Sequence, residues 1–157
     1  MQKLVVVTEQ CHDSRKNQRD CRTDQQSIRK TFTLSEANLS LVLVRKVVAD
    51  ITRRYAVLLD LRAQRYDLSR LKDVDDQLDQ LNERIEQTIE ELNHLHDELH
   101  EIGCVLKDWT TGLVDFPGIR AGQPICLCWR LDEPNVTHWH EPHAGFAGRQ
   151  PIDADCL

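Results

Sequence analysis

No glycine and no proline precedes Gly103, and all three tryptophans, all five prolines and five of the six glycines lie at or beyond Trp109. The long front part therefore lacks the residues that end helices or build tight turns. Aromatics make up only 5% of the chain, so its core must be mostly Leu, Val and Ile. No apolar run approaches the ~18 residues of a membrane span. No secretory signal is evident either: Met1–Thr8 offers one Lys and a short apolar stretch, Leu4–Val7. A cytoplasmic setting with reduced thiols is expected. Cys104, Cys126 and Cys128 then read as small buried groups rather than bridges.

What is present is charge, at 29% of 157 residues. Residues 35–68 carry six Lys/Arg and four Asp/Glu, whereas residues 69–108 carry four and twelve. Two such segments attract each other when packed antiparallel. A net charge of −6 provides no basic face for phosphate, so no nucleic-acid partner is expected.

The chain divides into three stretches. Residues 8–30 have almost no apolar residues and no periodicity, which predicts that residues 1–30 are a disordered arm, or upstream sequence translated from an early start. A helical hairpin is predicted over residues 31–108. Either Thr33, with Glu36 three residues on, or Ser35 can cap its first helix. Leu41, Val44, Val48, Ile51, Tyr55 and Leu58 form one helical stripe. That helix should run to about Tyr66, with a break at Asp67-Leu68-Ser69. The second stripe runs Leu71, Val74, Leu78, Leu81, Ile85, Leu92, Leu95, Leu99, Ile102 and Leu106, a heptad-like pattern of coiled-coil type. Residues 109–157 form the third stretch, a small β/loop region packed with the hairpin as one domain. The fold class read from this pattern is α+β: a long antiparallel two-helix coiled-coil hairpin followed by a small antiparallel β-sheet.

Within the tail, Leu113–Phe116 reads as a short strand ended by Pro117-Gly118. From Ile125 to Leu131 the residues alternate, with Ile125, Leu127, Trp129 and Leu131 on one face and Cys126, Cys128 and Arg130 on the other. Asp132–Asn135 reads as a turn, Val136–His140 as the returning strand and Ala144–Gln150 as a loop.

Cys126, Cys128, His138, His140, Glu141 and His143 are types that bind metals, but a four-residue turn pairs Leu131 with Val136. That register puts Cys126 and Cys128 on the face opposite His138 and His140, and only a one-residue slip or bulge would reunite them, so no metal and no cofactor is expected. His96 and His100 share a helix face, which reads as solvated. Arg130 lies mid-strand between apolar neighbours and needs a carboxylate, Asp115 or Glu133, or an anionic ligand. His140 beside Glu133 or Glu141 has the makings of a general base. A buried ion-pair network is the alternative use of these residues. No Ser-His-Asp spacing, phosphate loop or G-x-G-x-x-G is present.

Phe32-Thr33-Leu34-x-Glu36-Ala37-Asn38, Gly112–Pro117, Leu127–Leu131, Trp139-His140-Glu141 and Gly145–Pro151 together resemble a small bacterial family named domain of unknown function 2203. The resemblance spans about Thr31 to Ile152 and implies a long helical hairpin followed by a compact strand region, with no established activity. The positions matching its tail motif are Asp115, Cys128, Trp129, Arg130, Glu133, Trp139, His140 and Arg149, which are the candidate ligand-binding residues. Cys126, His138, His143 and the helix histidines lie outside the motif.

Two functions fit this reading. The first is a non-enzymatic interaction module that forms a homo-oligomer or grips a helical partner, since Val42, Leu43, Val47 and Leu59 fall off the main stripe. The second is a small anionic-ligand or catalytic site on Arg130, Glu133, His140 and Arg149.

Overall fold

The computed structural model describes residues 30–153. Apart from Lys30, the predicted arm lies outside the described residues. Lys30 itself belongs to the fold. Its Nζ lies 4.5 Å from the centre of the Phe32 ring and donates to the Ile102 carbonyl.

Helix α1 spans Leu34–Leu68. Thr33 is its cap: the hydroxyl accepts from the Glu36 amide while the Glu36 carboxylate accepts from the Thr33 amide. Those donated hydrogen bonds hold the Glu36 carboxyl below the usual carboxylate range. Ser69 stands at the C-terminal end. Helix α2 spans Asp75–Ile102 and ends on Gly103, whose φ of 103° supplies the left-handed turn. Its start is later than the apolar stripe suggests. Leu71 and Val74 sit in the connection, and Leu71 is exposed.

The two helices pack together. Leu41, Val44, Val48, Ile51, Leu58 and Leu61 of α1 are buried, as are Ile85, Leu92 and Leu99 of α2. Full burial of each Leu or Ile contributes roughly 1.5–3 kcal/mol. Arg54 bridges to Glu91 at 2.9 Å, one contact between the basic and the acidic helix. Val47 was expected at the surface but is buried; it widens the α1 stripe.

Five strands follow: β1 Val105–Asp108, β2 Leu113–Arg120, β3 Gln123–Arg130, β4 His138–His140 and β5 Gln150–Pro151. They form one antiparallel sheet in sequential order. β1 begins inside the stretch predicted as hairpin, so Leu106 is a strand residue rather than the last helical one. β2 runs straight through Pro117-Gly118. Pro117 accepts from the Phe32 amide, which points its backbone groups away from β3, where a missing N–H breaks no ladder bond. Ala121 and Gly122, with φ of 48° and 78°, make the two-residue turn into β3.

One face of the sheet closes on α1. Val114, Phe116, Ile125, Leu127, Trp129 and Trp139 join the helix residues in a single core. Phe32 meets Phe116 edge-on at 5.3 Å. At Gly112 the sheet comes so close to α1 that a Cβ would stand 2.7 Å from Val48.

Candidate functional site

The opposite face of the sheet holds the polar residues, and the strand register decides which of them meet. Asp115 pairs with Cys128 across β2 and β3. Cys126 pairs with His140, and Cys128 with His138, across β3 and β4. This register is one residue away from the predicted pairing of Leu131 with Val136. The expected separation of cysteines from histidines is therefore wrong, because both sets share a face.

The reason lies in the connection between β3 and β4, which is anchored to α1 rather than folded as a tight turn. Arg45 donates to the carbonyls of Leu131, Glu133 and Pro134. The Asn38 carboxamide oxygen accepts from the Val136 amide. Val136 is thereby buried against the helix instead of extending β4.

Three of the eight candidates form a buried cluster: Asp115, Cys128 and His140. Each offers one donor atom, and these atoms lie within 4.8 Å of one another. His140 Nδ1 lies 2.7 Å from the Glu141 carbonyl, and Nε2 lies 3.1 Å from Asp115 Oδ1. A carbonyl only accepts, so Nδ1 carries a proton. Burial, reinforced by the Asp115 charge beside it, pushes the Cys128 thiol up to about 12. Burial likewise lifts Cys126 to about 11. Neither is activated as a nucleophile, which would need a lowered value.

Glu133 and Arg149 form a second group. Arg149 donates to both Glu133 carboxylate oxygens at 2.8 Å and to the Cys128 carbonyl at 3.3 Å. The two side chains are only 11% and 18% exposed. Glu133 also accepts from the Arg130 amide at 2.8 Å. The Arg149 guanidinium lies over the Phe146 ring, and its Nε is buried without a partner.

Arg130 is placed differently from its prediction. It ends β3, and its guanidinium takes Asp132 by two hydrogen bonds of 2.6 and 2.8 Å at the surface. Those hydrogen bonds raise the guanidinium further above its usual range and hold the Asp132 carboxyl below its own. The expected side-chain partners, Asp115 and Glu133, are bound elsewhere. The predicted single cluster of Arg130, Glu133, His140 and Arg149 is thus divided. His140 goes with Asp115, Glu133 with Arg149, and Arg130 with Asp132, which the sequence reading missed although it lies only two residues on.

The two tryptophan candidates face the core. Trp129 is fully buried and its indole N–H donates to the Glu133 carbonyl at 2.9 Å. Trp139 is buried with Arg120 stacked over it, and its indole N–H has no partner. A surface depression of about 460 Å³ lies beside Trp139, lined also by Arg120, Gln123, Glu141 and His143.

The helix histidines divide as well. His94 and His100 are exposed, but His96 is half-buried and stacks on Trp109 at 5.7 Å. Cys104, Cys126 and Cys128 are free thiols. Among the described residues, no helix is long and apolar enough to cross a membrane.

No curated protein and no solved structure matches the chain. A family of proteins described as "Uncharacterized conserved protein (DUF2203)" matches residues 30–152, a span that takes in both helices, all five strands and every candidate site residue. The chain belongs to that family.

Proposed function

We propose that the protein is a non-enzymatic helical interaction module that assembles with a second copy of itself through α1. One observation carries this reading. Leu39, Val42 and Leu43, at helical spacings of three and four, are 73%, 73% and 53% exposed and lie next to one another on α1. Folding leaves this apolar patch uncovered, although the buried stripe of the same helix shows that α1 has ample contact elsewhere. At 35 residues the helix is about 52 Å long, enough for an extended self-complementary contact.

The sheet chemistry supports the non-enzymatic half of the reading. Both His140 nitrogens are taken by protein groups, and the thiol beside them is buried and protonated. No general base or nucleophile is left free there.

Sedimentation equilibrium at tens of micromolar tests the proposal. The expected mass is twice 18.2 kDa, falling to 18.2 kDa for the triple variant Leu39→Ser, Val42→Ser, Leu43→Ser. A monomer across that range overturns it.

A second reading has one observation in its favour. The buried, unpartnered Nε of Arg149 is the kind of donor that an anionic ligand satisfies. Thermal stabilisation by phosphate or citrate that disappears in Arg149→Lys would support it. No shift with either anion would end it.

A further inference from the structure

We propose that Asp115, Cys128 and His140 form a binding site for one divalent transition-metal ion of the zinc class, laid across three neighbouring strands. The inference goes beyond the assembly reading and does not depend on it.

The donor set comes first. One carboxylate oxygen, one sulfur and one imidazole nitrogen lie within 4.8 Å of one another. Thiolate and imidazole select zinc and its neighbours over magnesium or calcium, which take oxygen. Each donor comes from a different strand: Asp115 from β2, Cys128 from β3, His140 from β4. The ladder fixes their separation, so the donors are positioned before any ion arrives.

The imidazole is oriented for an ion as well. Nδ1–H donates to the Glu141 carbonyl, which turns Nε2 toward Asp115 Oδ1, 3.1 Å away. Only a proton or a cation between them makes that contact favourable. Metal-bound histidines typically donate their other ring N–H to a carbonyl or carboxylate, which fixes the tautomer in this way. With metal–nitrogen and metal–oxygen distances of ~2.0–2.2 Å, donors 3.1 Å apart subtend roughly 90–102° at the ion, so both can bind one ion at once.

Charge also favours a cation here. Asp115 is 5% exposed, and the only ion-pair partner recorded for it among the described residues is His140. Arg149 is committed to Glu133 and to the Cys128 carbonyl. A buried carboxylate without a full countercharge is costly, and a divalent ion supplies that charge. Asp115, Cys128 and His140 are the three protein donors, and water completes the shell.

The experiment uses the full chain, stripped with chelator and titrated with Co(II). One equivalent should give the ligand-field bands of a four-coordinate ion and a thiolate-to-cobalt charge-transfer band. Zn(II) should displace both. The sequence also holds Cys11, Cys21 and Cys156, so the assignment rests on Cys128→Ser, which should lose the charge-transfer band while Cys104→Ser keeps it. Asp115→Asn should weaken Co(II) binding at least tenfold. Either of two results overturns the site: unmodified protein that takes up no Co(II) or Zn(II), or Cys128→Ser that binds Co(II) with an unchanged spectrum. Metal uptake by the unmodified protein stands whether or not a substituted chain loses stability.

Discussion

Glu133→Ala is the most informative single perturbation of the tail. The Glu133 carboxylate accepts from Arg149 through both oxygens and from the Arg130 amide. Truncation leaves the Arg149 charge stranded where its side chain is 11% exposed. Breaking a buried pair from one side costs ~3–5 kcal/mol, and the residual exposure places this pair near the lower end, at ~3. The orphaned Arg130 amide adds about 1 kcal/mol. The total is about 4 kcal/mol, a large share of the ~5–15 kcal/mol that holds an ordinary domain together. Urea unfolding at neutral pH measures it as a lowered midpoint with an unchanged slope. Arg130→Ala is the control. Its guanidinium lies at the surface with Asp132, so the midpoint should hardly move. Arg149→Met in the Glu133→Ala background removes the stranded charge and should recover part of the loss. A loss below about 1 kcal/mol for Glu133→Ala, or an equal loss for Arg130→Ala, would refute the assignment of Glu133 and Arg149 as the buried pair.

Two further outcomes follow from the geometry. Gly112 and Gly122 both have positive φ, but a Cβ meets Val48 at 2.7 Å only at Gly112, with open space at Gly122. Left-handed strain alone should cost Gly122→Ala ~1–2 kcal/mol. Overpacking should bring Gly112→Ala to ~3–4 kcal/mol by the same urea assay, and equal losses would contradict the close approach of α1 to the sheet. The Cys104 thiol is pushed up to about 12 by burial, well above its unfolded value of ~8.5. Its contribution is therefore complete below pH ~8.5 and lost as pH rises toward 12. Unfolding free energy should fall by up to ~1.4 kcal/mol per pH unit from this group, and Cys104→Ala should flatten the slope between pH 9 and 10.

Much of this fold can be read from short-range pattern. Thr33 with Glu36 marks the first cap because capping is a three-residue affair. The alternation from Ile125 to Leu131 gives the two faces of β3 because strands have a period of two. The misreadings come from contacts between residues far apart in sequence. Arg45 and Asn38 hold the 131–136 connection from α1, and that shifts β4 by one position. A turn rule applied to Asp132–Asn135 alone cannot register a grip from ~90 residues away. β2 passes through Pro117 because Phe32 lies on its open side, again a distant partner. Leu106 continues the helical spacing by coincidence, and Gly103 was the stop signal. The site suffers most from this, since one slipped residue exchanges the neighbours of every side chain on β4. Arg130 meets Asp132 because it ends its strand, where the alternation alone places it mid-strand.

The sequential order of the sheet bears on how the chain reaches its native state. Every strand pairs with a neighbour in sequence, and α1 pairs with α2, so both halves are built from short loops that close cheaply. The bonds from Arg45 and Asn38 to the 131–136 connection span 86 to 98 residues. Seating the first half of α1 on a preformed meander is therefore expected to be the late, slow event of folding. Asn38→Ala and Arg45→Ala would then act as reporters of docking. Refolding traces of the two variants would show whether that union sets the overall rate or follows it.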